Sequence, residues 1–233
     1  HYAGSFLTGL AISFCTKVFC TSKHSYTAKY AKTVLMPVGV DTERFFPDTR
    51  VVQKPHSILF LARMSPSKRP EMLIDALASL ARSGIDFTAS FIGSPLPQDE
   101  VYYENLKEKV RVLKLVDQVS FHAGISNSQT PDLYRAHEIF VNTSPSGMLD
   151  KTIFEAAASG CRVFAASTDI AEIASPEFAY ADGDTDDLAK RLKGALALSE
   201  EMRKIQVREL EKKASREHSL SVLGKQLFKE MSV

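Results

Sequence analysis

The chain has little cysteine and no metal-binding pattern. Cys15, Cys20 and Cys161 are odd in number and lack the paired spacing of a metal or redox site. We therefore expect reduced thiols in a cytoplasmic protein. The six histidines include no HExxH motif and no pair four residues apart, so we expect no zinc site and no structural metal.

The chain also lacks an excess of charge and a long apolar run. Basic residues number 29 and acidic residues 28, and this balance argues against nucleic acid as a partner. No apolar run reaches the roughly 18 residues that a membrane span needs, and no signal-peptide pattern opens the chain. Because the sequence starts at His1 and not at a Met, we expect a fragment whose N-terminal part is missing.

The hydrophobic content of 44% over 233 residues is enough to bury a core in one or two domains. Residues 1–38 cannot form a core alone, and we interpret them as the tail of a preceding domain and a connection. Residues 39–47 are rich in turn formers, and Gly39 permits a positive φ there. We therefore assign 39–217 to one domain and 218–233 to a C-terminal docking helix.

Strand and helix patterns alternate from residue 57 onward. Apolar runs typical of buried strands occupy 57–62, 87–93, 118–122, 138–141, 162–166 and 178–181. Helical patterns occupy 70–82, 100–115, 130–136, 150–159 and 186–198, and a shorter one precedes them at 23–30. This alternation predicts an α/β fold, a doubly wound parallel sheet with helices on both faces.

Residues 200–217 alternate acidic and basic side chains over a thin apolar stripe. This alternation favours a solvated helix resting on its domain, and peripheral contact with a membrane is the alternative. The expected location is accordingly cytoplasmic, with the inner membrane surface as the alternative.

The most informative stretch is 138–166, a predicted strand, loop, helix and strand. In a parallel sheet such a loop lies at the edge that presents ligands. Backbone N–H groups of Ser146, Gly147 and Met148 can face an anion at the helix N-terminus. Glu155 lies among apolar residues of the helix and should contact the ligand or be paired, because an unpaired buried carboxylate is costly.

Each of three charged residues in this helix can also be interpreted in a second way. Asp150 is well suited to cap the helix, and that role alone would explain it. Lys151 fits a surface cation slightly better than a phosphate contact. Glu155 has the alternative of facing solvent or a structural lysine.

Arg63 and Lys68 stand five residues apart in the loop after the first strand of the domain. Such cations can converge on a diphosphate, to which Arg offers a planar fork and Lys a point charge. They can also stabilise a leaving diphosphate without a metal. The spacing alone fits a pair of surface cations better.

Two further strand ends carry candidate ligand contacts. Gly93 would let a ligand approach its strand closely. The backbone of Gly124 and Ile125 is placed to meet a flat ring through main-chain hydrogen bonds. His122, just before them, we interpret as a hydrogen-bonded residue and not as a catalyst.

Four stretches, in this order, resemble the C-terminal, donor-binding domain of the retaining glycosyltransferase family 4, the group 1 glycosyltransferases with the GT-B fold. MPVGVDTERFFP is similar to the interdomain joint of that family, and LFLARMSPSKRPEMLIDAL to its arginine-lysine loop. VSFHAGI is similar to its base-contacting turn. HEIFVNTSPSGMLDKTIFEAAASGCRVFAAS is similar to its signature region.

The resemblance implies roles for single residues. Arg63 and Lys68 would hold the donor diphosphate as catalytic residues, and Glu155 would bind the ribose hydroxyls. The backbone groups implied to contact the base, sugar or phosphate are those of Gly124, Ile125, Gly147, Met148 and Leu149. Gly93, Asp150 and Lys151 are further donor-site candidates.

The sequence departs from the family pattern at one position. The family usually carries two glutamates separated by seven residues, and Gly147 stands at the first of these positions here. Asp150 would then supply a carboxylate from a shifted place. The Gly-rich turn that often precedes the next glutamate is replaced by 167–171, and Glu172 is retained without an assigned role.

The implied activity is transfer of a sugar from a nucleotide-diphosphate donor to an acceptor hydroxyl with retention of configuration. The implied partners are a nucleotide-sugar donor, a glycan, lipid or small-molecule acceptor, and the missing N-terminal domain. No metal or other cofactor is expected, and the fragment alone should not turn over. The alternatives are a GT-B-type nucleotide-sugar epimerase and a non-catalytic nucleotide-sugar-binding domain.

Overall fold

The computed structural model describes residues 6–145, 149–166, 170 and 174–232. Its helices are α1 Phe6–Phe14, α2 Pro70–Arg82, α3 Glu100–Val112, α4 Thr130–Ala136, α5 Lys151–Ala158, α6 Thr185–Leu196, α7 Glu200–Glu217 and α8 Leu220–Met231. Its strands are β1 Val18–Cys20, β2 Thr33–Leu35, β3 Lys54–Leu61, β4 Thr88–Ile92, β5 Val119–His122, β6 His137–Asn142 and β7 Arg162–Ala165.

Within the described residues, five strands form one parallel sheet in the order β5-β4-β3-β6-β7. The central strand β3 pairs on both sides, so that Leu59 stands opposite Ser90 of β4 and Phe140 of β6. Helices flank this sheet and pack in neighbouring pairs, α2 with α6 and α5 with α7. The predicted doubly wound α/β fold is confirmed.

The order of the strands fixes where a ligand can bind. From β3 the chain builds outward through β4 to β5, and then returns to add β6 on the other side of β3. The connections that leave β3 and β6 therefore diverge, and a crevice opens at the carboxyl ends of these two strands. The loop that carries Arg63 and Lys68 and the loop that leads to α5 both begin there.

The predicted strand at 178–181 was wrong. Residues Pro176–Phe178 form a 3-10 turn, and the backbone then makes one parallel bridge, between Ala179 and Ala165. The next free N–H, that of Ala181, donates to the carboxylate of Asp187 at 2.9 Å. This bond ties the backbone just after the bridge to the first turn of α6.

The predicted helix at 23–30 was also wrong, since only a 3-10 turn forms at Tyr26–Lys29. Ser22 does not cap a helix. Its Oγ accepts a hydrogen bond from the N–H of His24 at 3.0 Å, which closes a tight local turn.

The residues after 217 return to the N-terminal segment. The carbonyl of His218 accepts hydrogen bonds from the N–H groups of Gly39 at 3.0 Å and Val40 at 2.7 Å. Helix α8 is bonded to this segment at two points: Glu230 forms an ion pair of 3.0 Å with Lys17, just before β1, and the Gln226 side-chain amide donates to the carbonyl of Leu35 in β2 at 2.9 Å. Gly39 has φ +80°, and a Cβ there would lie 2.4 Å from Leu223 of α8. The positive φ explains a glycine at the joint, because other residues rarely adopt it.

Candidate functional site

Lys68 and Asp150 join the two loops of the crevice. The Lys68 Nζ lies 2.7 Å from Asp150 Oδ2 and donates to Ser144 Oγ at 3.1 Å. Ser144 Oγ and the Asn142 side-chain amide donate to the same Asp150 oxygen, at 2.7 and 2.9 Å. Burial raises the pKa of the Asp150 carboxyl, but the hydrogen bonds from Lys68, Asn142 and Ser144 outweigh it and leave the pKa below its ordinary value.

Asp150 therefore does more than begin a helix. It occupies the N-cap position of α5, yet its side chain makes no hydrogen bond to the free N–H groups of that helix. A residue at this position usually accepts a hydrogen bond from a free N–H of the helix. Here the carboxylate instead accepts from the cation Lys68, in the loop after β3, and from two neutral donors, Asn142 at the end of β6 and Ser144 in the loop after it. Capping alone does not explain this residue.

Thr143 and Arg69 fasten the Lys68 loop to the end of β6. Thr143 Oγ1 donates to the carbonyl of Lys68 at 2.5 Å, and Arg69 Nε donates to the carbonyl of Thr143 at 2.9 Å. Arg69 also pairs with Asp182 at 2.5 Å. Its φ of +48° is left-handed, which costs about 1 kcal/mol for a residue other than glycine, so these bonds hold the loop in a conformation it would not otherwise keep.

Sequence reasoning did not identify Arg69, Asn142, Thr143 or Ser144. One signal was available, because three polar residues in a row follow the buried part of β6 at its carboxyl end. Polar side chains at that edge of a parallel sheet are placed for ligands or for loop contacts.

Arg63, the other predicted cation, is exposed. No hydrogen bond or ion pair joins its guanidinium to any residue that the structure describes. The residue beside it, Met64, is fully buried and donates its N–H to the carbonyl of Ser94 at 3.3 Å. The loop is thus anchored, and the Arg63 side chain is left available.

The glycines at the ends of β4 and β5 serve contacts between loops. A Cβ on Gly93 would lie 1.8 Å from the carbonyl oxygen of Ala62, so the close approach here is that of the neighbouring backbone. Gly124 donates its N–H to Ser94 Oγ at 3.0 Å. Ile125 is partly exposed, and its N–H makes no hydrogen bond within the described part of the chain. His122 lies 3.0 Å from Ser120 Oγ, as a hydrogen-bonded histidine would.

Glu155 lies inside the protein with only 4% of its surface exposed. The nearest cation is Lys151, whose Nζ stands 4.0 Å from Oε1 and whose own side chain is half exposed. Burial raises the pKa of the Glu155 carboxyl and outweighs the opposing effect of Lys151. The alternative that Glu155 faces solvent is excluded. Lys151, Asn127, Tyr134 and Arg44 all favour the ionised carboxylate, but together they offset its burial only in part.

Replacing Glu155 with glutamine should raise the melting temperature of the ligand-free chain near pH 7. The raised pKa means that ionised Glu155 costs free energy in the folded state. That cost is absent below the ordinary value of 4.5 and grows as the pH rises through the folded-state pKa. Thermal denaturation at about pH 4 and about pH 7 should show a gain at neutral pH alone.

A matched control for this variant is Glu209→Gln, because Glu209 is exposed on α7 and has no partner within the described residues. It should leave the melting temperature unchanged at both pH values. Equal gains for Glu155→Gln at both pH values would show that ionisation of this carboxylate is not the cause.

Several sequence-based assignments lie outside the described residues: Ser146, Gly147, Met148 and Glu172. Leu149 is described and packs, partly buried, against the hydrophobic core. Among the residues that the structure describes, no group of three His, Cys, Asp or Glu side chains is arranged to hold a metal ion. In the same set, no helix is long and apolar enough to cross a membrane.

The family model for glycosyl transferases group 1 matches residues 41–212. The chain belongs to this family. Mannosylfructose-phosphate synthase of Agrobacterium fabrum is 30% identical over 147 residues, which cover 58% of this chain and 32% of that protein. D-inositol 3-phosphate glycosyltransferase of Kineococcus radiotolerans is 28% identical over 155 residues, which cover 61% of this chain and 36% of that protein.

Solved structures share the fold of this group 1 chain. Anabaena HepE in complex with UDP superimposes with a TM-score of 0.84 at 22% identity, over 96% of this chain and 65% of that one. Sucrose-phosphate synthase of Thermosynechococcus elongatus gives a TM-score of 0.84 at 20% identity, over 97% and 60%. The group 1 chain spans about a third of its curated relatives and less than two thirds of these solved chains.

Proposed function

We propose that this chain is the donor-binding half of a retaining glycosyltransferase, which moves a sugar from a nucleotide-diphosphate donor to an acceptor hydroxyl. The observation that carries the proposal is the crevice between β3 and β6, where Lys68 and Arg63, which has no partner among the described residues, lie on one loop and α5 begins after the next. Anabaena HepE forms complexes with UDP and with UDP-glucose. A mycobacterial relative is named as a GDP-mannose-dependent mannosyltransferase.

In this proposal Arg63 and Lys68 bind the diphosphate and stabilise the charge that develops on it as the sugar leaves. Arg63 is free to do so, because its guanidinium has no partner among the described residues. Lys68 has to exchange part of its contact with Asp150 for the phosphate. Both contacts are charge-assisted, which makes them stronger than neutral hydrogen bonds.

Glu155 is proposed to accept hydrogen bonds from the ribose hydroxyls. Its carboxylate is buried and weakly compensated in the ligand-free chain, so donors from a ligand would remove a cost that the protein otherwise carries. We propose that the N–H of Ile125 makes the contact to the nucleotide base, because the N–H of Gly124 already donates to Ser94. Leu149 would add a backbone contact at the sugar or phosphate.

The experiment that tests the proposal is a screen of nucleotides for thermal stabilisation of the 233-residue chain. UDP and GDP are the first ligands, and uridine and guanosine are the controls that lack phosphate. A ligand at about 100 times its dissociation constant adds about 2.7 kcal/mol to stability. We expect at least one diphosphate to raise the melting temperature while its nucleoside does not. A chain that is stabilised neither by these diphosphates nor by UDP-glucose or GDP-mannose would overturn the proposal.

The reaction itself is tested by following UDP-glucose and GDP-mannose by NMR with a version of the protein that includes an acceptor domain. We propose that the present chain binds a donor without turnover, because a GT-B reaction takes place between two domains. Detection of an epimerised donor would show that the protein is an epimerase and not a transferase. If the longer protein binds a donor but neither transfers nor epimerises its sugar, the function is that of a non-catalytic nucleotide-sugar-binding domain.

A further inference from the structure

Within the described part of the chain, every hydrogen bond to the Asp150 side chain reaches the same carboxylate oxygen. Lys68 Nζ, Asn142 Nδ2 and Ser144 Oγ all lie within 2.9 Å of its Oδ2. No donor within the described residues reaches Oδ1. The side chain is 23% exposed. One carboxylate oxygen is thus held by three donors, and the second keeps its acceptor capacity among the described residues.

The charge of Asp150 also changes what the crevice attracts. Lys68 is the cation most closely held there, and its charge is already balanced by a carboxylate at 2.7 Å. A bound phosphate close to Lys68 is therefore close to a negative charge as well, and Coulomb repulsion grows with the charge on the ligand. A free nucleoside diphosphate carries an ionisable terminal phosphate oxygen that becomes an ester in the nucleotide sugar, so it is the more negative of the two at neutral pH.

We propose that Asp150 is a specificity-determining residue that favours the intact nucleotide sugar over its nucleoside diphosphate product. Repulsion between Asp150 and a phosphate close to Lys68 weakens binding of the more highly charged product. In addition, Oδ1 accepts a hydrogen bond from a hydroxyl of the donor sugar, and the product has no sugar to offer one. Both effects act in the same direction. The inference rests on the function proposed above and names the ligand feature that the site distinguishes.

The test is calorimetry on the full 233-residue chain with UDP and UDP-glucose, or with GDP and GDP-mannose if the nucleotide screen selects guanosine. Asp150→Asn keeps the shape and an acceptor for Lys68, Asn142 and Ser144, so the fold should be retained. We expect this variant to bind the diphosphate about fivefold more tightly, because a like charge near the phosphate is removed. The ratio of diphosphate to nucleotide-sugar dissociation constants should fall about tenfold.

A second variant separates charge from geometry. Asp150→Glu keeps the negative charge but moves the carboxylate oxygens by one methylene. Its affinity for the free diphosphate should stay within about twofold of the wild type, while its affinity for the nucleotide sugar should fall, because the hydroxyl contact depends on position.

The matched control is Asp75→Asn, which removes the carboxylate of another Asp–Lys pair, Asp75 with Lys109 at 2.6 Å between α2 and α3. It should leave both dissociation constants unchanged. A wild-type chain that binds the diphosphate, together with an Asp150→Asn variant whose ratio is unaltered, overturns this inference and leaves the proposed function standing. A wild-type chain that binds neither ligand overturns both.

Discussion

Replacing Gly93 with alanine should lower the free energy of unfolding by about 3 kcal/mol or more, at the upper end of what overpacking costs. The added Cβ would lie 1.8 Å from the carbonyl oxygen of Ala62. Neither backbone can yield easily, since the N–H of Ala62 donates to Ile92 at 3.2 Å and the N–H of Gly93 donates to His122 at 3.0 Å. Urea denaturation followed by circular dichroism measures the effect.

The control for this variant is Gly194→Ala in α6, where a new Cβ meets no atom within 4 Å. An exposed helical glycine costs about 0.5–1 kcal/mol relative to alanine, so this change should stabilise the chain. If both alanine variants unfold at the same urea concentration as the wild type, the tight contact between β3 and β4 is not present in solution. Because Gly93 fixes the loop that carries Arg63, partial unfolding there should also weaken ligand binding.

The double variant Arg63→Ala with Lys68→Ala should bind the nucleoside diphosphate about 100-fold or more weakly. A hydrogen bond to a charged group contributes about 1.5–3 kcal/mol, and two such contacts to phosphate are removed. Calorimetry with the diphosphate that stabilises the wild-type chain provides the measurement. An unchanged dissociation constant would sink the assignment of the diphosphate to this loop.

The two single variants should differ in stability. Arg63→Ala should weaken binding without altering the melting temperature, because Arg63 has no partner in the described part of the chain. Lys68→Ala should lower both the affinity for the diphosphate and the melting temperature, since it leaves the Asp150 carboxylate without the cation 2.7 Å away. Arg82→Ala, which removes a similar exposed charge from the far end of α2, is the matched control and should change neither quantity.

The sheet could be predicted from the sequence because its central strands are apolar on both faces. Runs such as 57–62 and 138–141 are too short for helices and lie between helical patterns, so a parallel sheet was the consistent solution. The start of β3 at Lys54 was missed, since residues 54–56 are polar or proline and carry no apolar signal. At 178–181 the apolar pattern was present, but a 3-10 turn at Pro176–Phe178 leaves room for only one bridge to β7 before α6 begins.

The location of the candidate site could be predicted from the sequence, but the contacts between its side chains could not. Strand order brings the loops after β3 and β6 together, and the sequence therefore located Arg63, Lys68 and Asp150 at one edge. The sequence does not indicate that Lys68 pairs with a residue 82 positions away. Local rules favoured a cap for Asp150 and a surface position for Lys68, and the tertiary ion pair outweighed both.

The backbone hydrogen bonds between 39–40 and 218–220 also determine how the chain can bend. Residues 39 and 218 are the two points at which the polypeptide passes between the sheet domain and the part formed by β1, β2 and α8, and they lie side by side. A movement that separates the two connections would therefore have to break the hydrogen bonds from Gly39 and Val40 to His218 and from Leu220 to Val40.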